Sequence, residues 1–301
     1  MLRTLFSFDR DGGVKDRLLT ALLVLSGALA LSLAAIYLPY GRLLAVAWSS
    51  AVAFGAVFEV VRLFGRDADT LRYRPVVGAL SFLLLALPAV GATAAGVAHV
   101  FGYSLNLGTI YLCLVLAGVG LCVMQVTEGH SDIGEASRFA ERYGTSFLLL
   151  GVCAPQLIVI SSLSFGIQLL WWLVAVVALN DASAFFVGRA LGRHKMAPAL
   201  SPNKSVEGMV AGLVCGVVAG VLFWRLLLGD SVSVPAIGFL SVWVTLAAQA
   251  ADLSKSYLKR LRGVKDTGAI FPGHGGILDR FDGMIGGAPI LFVAIILLGL
   301  V

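Results

Sequence analysis

The stretch KDTGAIFPGHGGILDRFDG, Lys265–Gly283, separates the last two long apolar runs of the chain. It contains five glycines, a proline, a histidine and several charged side chains. A helix that crosses a bilayer needs about 20 apolar residues, so this segment predicts a surface loop between two spans. Its density of glycine and charge raises the question of what a membrane protein does at this point.

The composition agrees with a membrane protein. Of the 301 residues, 59% are hydrophobic and 13% are charged, and the mean hydropathy is +0.94. Soluble domains average about 25% charged residues. The four cysteines all lie in apolar runs without metal-binding or disulfide spacing, so they predict small core residues. No polar stretch is long enough for a separate soluble domain.

The hydropathy pattern predicts nine spans in an all-α polytopic membrane protein. They are 18–38, 43–61, 76–100, 107–126, 145–162, 167–188, 206–224, 232–250 and 284–301. With the N-terminus inside, 20 of the 22 Lys and Arg residues fall in inner segments, as the positive-inside rule requires. The C-terminus is then outside. This sorting explains the net charge of +5 without any nucleic-acid partner.

The inner segments of the second half combine carboxylates, basic side chains and glycines. Asp181 and Asp252 each lie at the predicted end of an apolar run, where an unpaired carboxylate is costly. Aspartates bind Mg²⁺, which binds phosphate oxygens, while Lys and Arg neutralise the remaining charge. The pattern therefore favours a phosphate and divalent-metal site. The PGHGG segment could approach a phosphate through its backbone N–H groups, but taken alone it could also be a tight turn. His274 could make a polar contact or act as an acid or base. No GxxxxGK[ST] motif is present, so a P-loop NTPase is not supported.

Two segments resemble a known family. SYLKRLRGVKDTGAIFPGHGGILDRFD, Ser256–Asp282, is similar to the signature of phosphatidate cytidylyltransferases. The upstream segments NDASAFFVGRALGRHK and SPNKSVEG are similar to that family too. The resemblance is specific over about residues 180–283 and general before that. It divides the chain into an N-terminal transmembrane region, 1–175, and a catalytic transmembrane region, 176–301.

The resemblance implies that CTP and phosphatidate react to give CDP-diacylglycerol and pyrophosphate in phospholipid biosynthesis. It implies Mg²⁺, with K⁺ as a further candidate, and it assigns the metal to Asp252 and Asp279. The implied catalytic residues are Lys259, Arg260, Lys265, Asp266, His274 and Arg280. The implied substrate-binding residues are Asp181, Lys204, Ser201, Gly275, Gly276 and Asp282.

Five positions depart from the usual family pattern: Phe185, Val206, Ala251, Lys255 and Gly283. They leave the lipid and nucleotide preference open. The alternatives are a CTP-dependent lipid kinase, a cytidylyltransferase for a related lipid phosphate, and a transporter. The expected location is the inner (plasma) membrane, with the site facing the cytoplasm, and a homodimer is left open.

Overall fold

The computed structural model describes residues 41–64, 145–146, 148–268, 270 and 275–299. Its long helices run side by side, and a small β-hairpin lies at one end of them. The elements are α1 (Gly41–Phe64), a π-helical turn (Leu148–Cys153), α2 (Ala154–Ser162), α3 (Gly166–Leu191), β1 (Lys195–Ala197), β2 (Ser201–Ser205), α4 (Val206–Leu228), α5 (Val234–Leu261) and α6 (Ile277–Leu297).

Four of these helices, α3 to α6, are long and apolar enough to cross a membrane. They correspond to the last four predicted spans, and α1 corresponds to the second. The fifth predicted span, 145–162, contains the π-helical turn and the nine-residue α2. The first, third and fourth predicted spans lie outside the described residues. The protein is thus a mostly helical membrane protein.

The predicted boundaries of the last two spans were wrong, and the observed boundaries change where two candidate metal ligands lie. Helix α5 continues to Leu261, eleven residues past its predicted end, and α6 begins at Ile277, seven residues early. Asp252 and Asp279 therefore lie on helices and not on the loop between them. Asp181 also lies within α3, ten residues before its end. Charged residues lower the local hydropathy at these places without ending the helices. Asp252 and Asp279 form ion pairs with lysines, and Asp181 accepts a hydrogen bond from Asn180.

The first segment after α3 corrects the all-α prediction. Strands β1 and β2 form an antiparallel hairpin, in which Lys195 pairs with Ser205. Ser205 then caps α4, because its hydroxyl accepts a hydrogen bond from Gly208 N at 3.2 Å. The hairpin thus places the SPNK segment immediately before α4, which is long and apolar enough to cross a membrane.

Glycines let α4 approach its neighbours closely. Gly208, Gly212, Gly216 and Gly220 recur every fourth residue, so they share one face of the helix. A Cβ on Gly208 would lie 2.6 Å from the Ala184 carbonyl oxygen of α3. The opposite face is an exposed apolar ridge, as a lipid-facing surface would be. Its residues are Val206, Val210, Val214, Val218, Leu222 and Leu226.

A second group of glycines sets α6 against α3 and α5. A Cβ on Gly286 would lie 2.8 Å from the Ala247 carbonyl oxygen, and one on Gly287 would lie 2.9 Å from Leu173 Cδ1. Ala251 contacts Gly286, so its methyl group occupies space that a side chain at 286 would need. This close packing brings the polar ends of α5 and α6 together.

Candidate active site

A cavity of about 710 Å³ lies where α3, β2, α4, α5 and α6 meet. Helix α5 contributes Asp252 and Lys255, and strand β2 contributes Lys204. Four aspartates from three helices line the same cavity, because the glycine-mediated packing holds those helices close. They are Asp181, Asp252, Asp279 and Asp282. The cavity therefore brings together six of the fourteen predicted site residues, which are these four aspartates, Lys204 and Arg280.

Lys255 lies at the centre of the charged network. Its Nζ is 3.0 Å from Asp252 Oδ1 and 2.7 Å from Asp282 Oδ2, and it donates to the Asp279 carbonyl oxygen at 3.3 Å. Asp252 also forms an ion pair with Lys204. The side chain of Lys255 is only 8% exposed, so its charge is compensated almost entirely by protein groups. This residue joins α5 to α6 at the cavity wall.

A neutral hydrogen-bond chain holds the α3 side of the cavity. Asn180 donates to Asp181 Oδ1 at 2.8 Å, and Gln249 Nε2 donates to Asn180 Oδ1 at 2.7 Å. Gln249 Nε2 also lies 3.2 Å from the Met209 carbonyl oxygen. Asn180 is fully buried. The amides thus orient Asp181 toward the cavity from a fixed position.

Asp279 is tightly held at the first turn of α6. Its Oδ1 pairs with Lys259 Nζ at 2.8 Å. Its Oδ2 accepts hydrogen bonds from Thr267 N at 2.8 Å and Gly276 N at 3.1 Å, and it lies 2.9 Å from the Thr267 hydroxyl oxygen. Because Gly276 has no side chain to cap the helix, the Asp279 carboxylate accepts the Gly276 N–H at the start of α6. The carboxylate therefore closes the loop onto α6.

The remaining predicted residues are more dispersed. Arg280 lines the cavity, whereas Arg260 donates from Nε to the Leu200 carbonyl oxygen at 3.2 Å, beside Ser201. Lys265 and Asp266 are exposed. Asp266 lines a second cavity of about 420 Å³ on the α1 side of the loop. Gly275, with φ of +83°, and Gly276 form the entry to α6. His274 lies outside the described residues.

Asp252 and Asp279 are the carboxylates that would hold a hydrated Mg²⁺. Asp252, whose side chain is 30% exposed, and Asp279 offer hard oxygen ligands on the same cavity. Mg²⁺ in phosphate-transfer sites is usually held by one or two carboxylates, waters and substrate phosphates. Among the described residues no three His, Cys, Asp or Glu side chains form a ready metal cluster. To bind the ion, Asp279 would have to use an oxygen that already accepts from Lys259, Thr267 or Gly276.

The similarity of the chain to known proteins extends well beyond this cavity. The model of the cytidylyltransferase family matches residues 15–298, which is nearly the whole chain. The chain belongs to the cytidylyltransferase family. Curated proteins similar to this family member include the phosphatidate cytidylyltransferase of Bacillus subtilis (strain 168), 36% identical over 148 residues, which are 48% of this chain and 54% of the relative.

Two further relatives of this cytidylyltransferase-family member carry the same name. The protein of Brucella abortus biovar 1 (strain 9-941) is 39% identical over 132 residues, 43% of this chain and 47% of the relative. That of Helicobacter pylori (strain ATCC 700392 / 26695) is 43% identical over 131 residues, 41% of this chain and 46% of the relative. The chain spans about half the length of the curated relatives it matches.

Sequence reasoning missed several polar residues in the cavity and beside it. Lys255 was noted only as a departure from the family pattern. It lies three residues after Asp252, on the same helix face. Asn180 precedes Asp181 in the sequence and was a visible signal. Glu59 was missed, although a lone carboxylate inside an apolar run is a functional signal by itself. Gln249 gave no distinct signal, because a single amide near the end of an apolar run is common.

Proposed function

We propose that this protein transfers the cytidylyl group of CTP to phosphatidate, which makes it a nucleotidyltransferase of phospholipid biosynthesis. A phosphate oxygen of phosphatidate attacks the α-phosphorus of CTP. The bond from that phosphorus to the bridging oxygen of pyrophosphate breaks, and pyrophosphate leaves. The products are CDP-diacylglycerol and pyrophosphate, so every phosphorus and oxygen atom is accounted for.

One observation carries this proposal: a cavity with four aspartates, Lys204 and Lys255, placed among apolar helices. One substrate is a membrane lipid and the other is soluble in water. A polar cavity within a helix bundle is open to both kinds of molecule. The family match and the names of the relatives support the same chemistry.

The reaction needs no nucleophile from the protein, because the lipid phosphate itself attacks. Positioning and charge neutralisation are therefore the main tasks of the side chains. Lys204 and Arg280, on different walls of the cavity, are proposed to bind phosphate oxygens. Lys255 keeps Asp252 and Asp282 in place. Lys259 and Thr267 keep Asp279 in place.

Asp252 and Asp279 are the proposed ligands of Mg²⁺. The ion would neutralise negative charge on the phosphates and help to align them. Since both carboxylates lie on the same cavity, they can act on one bound nucleotide. K⁺ and a homodimer stay predictions from the resemblance.

Substrate dependence is the direct test of the function. Purified protein is expected to consume CTP only when phosphatidate is present, because the lipid phosphate is the attacking group. Labelled CTP should give a CDP-lipid and equimolar pyrophosphate, followed by thin-layer chromatography and by pyrophosphate release. CDP with a newly phosphorylated lipid would instead indicate a CTP-dependent lipid kinase. Substrate flux across sealed vesicles without chemical change would indicate a transporter.

We propose the finer topology from the charge distribution. Nine spans with the N-terminus inside place the cavity at the cytoplasmic face of the cell membrane, where CTP is available. The positions 194 and 229 flank the 23-residue helix α4, which spans about 35 Å at 1.5 Å per residue. The two positions therefore lie at opposite ends of a membrane-crossing helix.

Cysteine labelling tests this topology. In a background lacking the native cysteines, a cysteine at His194, whose side chain is 81% exposed, is expected to be protected from an impermeant reagent added to intact cells. A cysteine at Ser231, an exposed residue of the loop after α4, is expected to react; it is preferred to Gly229, whose φ of +70° would strain a side chain. Permeabilised cells provide the control for reactivity. Labelling of position 194 in intact cells would contradict the proposed orientation.

A further inference from the structure

Glu59 is a buried carboxylate that does not line the 710 Å³ cavity, and it lies far in sequence from the residues that do. It lies on α1 and is only 3% exposed. An ionisable side chain in an apolar helix is costly unless it is paired or hydrogen-bonded. Its partners therefore indicate what it does.

Within the described residues, the hydrogen-bond donors to Glu59 belong to the loop before α6 or to the first turn of α6. Oε1 accepts from Ile277 N at 2.7 Å, and Oε2 accepts from Leu278 N at 2.9 Å. Oε2 also lies 3.1 Å from the Thr267 hydroxyl. Backbone N–H groups of the first helical turn have no partner within the helix, so Glu59 caps α6 from another helix.

Two glycines of the loop lie in close contact with this carboxylate. A Cβ on Gly268 would lie 2.8 Å from Glu59 Cδ, and one on Gly276 would lie 2.5 Å from the same atom. Both distances are too short for a real side chain. Part of the glycine content of the segment is thus explained by contact with protein and needs no bound phosphate.

Thr267 connects Glu59 to the cavity. Its hydroxyl lies between Glu59 Oε2 and Asp279 Oδ2, and its N–H donates to Asp279. The hydroxyl has one proton, and Asp279 Oδ2 already accepts two backbone N–H groups. The proton is therefore best used toward Glu59. Asp279 in turn pairs with Lys259.

We propose that Glu59 is a positioning residue that fixes the loop between α5 and α6, and thereby the carboxylate of Asp279, in the orientation that the active site needs. This inference rests on the proposed function for its kinetic consequence. Its structural part, the fixing of the loop, does not depend on the identity of the substrates.

Glu59→Gln is the test. The amide nitrogen of Gln cannot accept a hydrogen bond, so at least one N–H group of α6 loses its partner. We expect kcat to fall about 10- to 100-fold, the range found for outer partners of metal-site ligands, with a smaller change in the KM for CTP. Hydrogen exchange of peptides covering residues 264–280 is expected to accelerate, while peptides of α3 and α4 keep their wild-type rates.

Asp230→Asn is the matched control, because it removes an equivalent charge from a 90%-exposed side chain at the far end of α4. It is expected to behave as wild type in both measurements. Thr267→Val and Thr267→Ser form a second pair, which keeps the α6 cap and tests the link alone. We expect the valine variant to lose more kcat than the serine variant, which retains the hydroxyl.

The outcomes separate the two levels of inference. Wild-type protein without CTP-dependent activity would overturn the proposed function, while faster loop exchange in Glu59→Gln would still support the positioning role. Unchanged loop exchange and a kcat within about twofold of wild type would overturn that role. If Glu59→Gln fails to fold, equal kcat and equal loop exchange in Thr267→Val and wild type would overturn it instead.

Discussion

Asp252→Asn is expected to lower turnover by about 100-fold or more while the protein stays folded, in line with the loss of a single charge-stabilising group in other enzymes. The substitution keeps the side-chain volume and removes the anionic oxygen that faces the cavity. Lys255 retains Asp282 as its partner, so the link between α5 and α6 remains. The measurement is turnover across a Mg²⁺ titration, beside thermal unfolding in detergent.

The control for this variant is again Asp230→Asn, which neutralises a carboxylate at the opposite end of the helices. Near-normal turnover of Asp252→Asn at saturating Mg²⁺ would contradict the assignment of the metal site. Asp279→Asn is a useful contrast. Because Asp279 receives donors from Lys259, Thr267 and Gly276, its neutralisation is expected to lower thermal stability as well as turnover.

Lys255→Met is expected to produce the largest loss of stability. The lysine is buried, and its removal leaves Asp282, whose side chain is 9% exposed, without a cation. Removing one partner of a buried ion pair typically costs about 3–5 kcal/mol, because the other charge stays buried and uncompensated. The free energy of unfolding is to be measured by denaturant titration in mixed micelles.

A second substitution tests whether the uncompensated charge of Asp282 causes the loss of stability in Lys255→Met. Asp282→Asn in the Lys255→Met background removes the orphaned carboxylate, so the double variant is expected to be more stable than Lys255→Met alone. Turnover should stay low in both, since Asp252 has lost one of its two lysines. A double variant no more stable than the single one would show that lost packing, and not uncompensated charge, dominates.

Much of the helical architecture was predictable because hydropathy reports membrane spans directly. The helix ends were not, since hydropathy falls wherever charges occur, whether or not the backbone continues. Helix α5 shows this: Asp252, Lys255 and Lys259 lie on its last turns, where ion pairs with α6 and β2 replace the missing apolar character. The β-hairpin was missed because its strands are only three and five residues long.

Six of the residues that matched the family pattern lie together, and their catalytic and binding roles stay predictions. Asp181, Lys204, Asp252, Asp279, Arg280 and Asp282 line the same cavity. What could not be read from the pattern is which groups hold them, because Lys255 and Glu59 act through contacts between distant segments. The Glu59–Ile277 hydrogen bond joins residues 218 positions apart, and no local signal reports such a pairing.

That separation has a consequence for biosynthesis. Helix α1 leaves the ribosome more than 200 residues before α6, so Glu59 enters the bilayer region without the N–H groups that later surround it. The nascent chain must therefore tolerate this carboxylate without those two backbone donors until Ile277 and Leu278 have been made. Assembly of α3, α4 and α5 can precede this step, but the contacts of Glu59 with α6 form only after α6 has been made. A chain interrupted before Ile277 would lack Asp279 and Asp282 of the cavity and would leave Glu59 without the two N–H groups of α6.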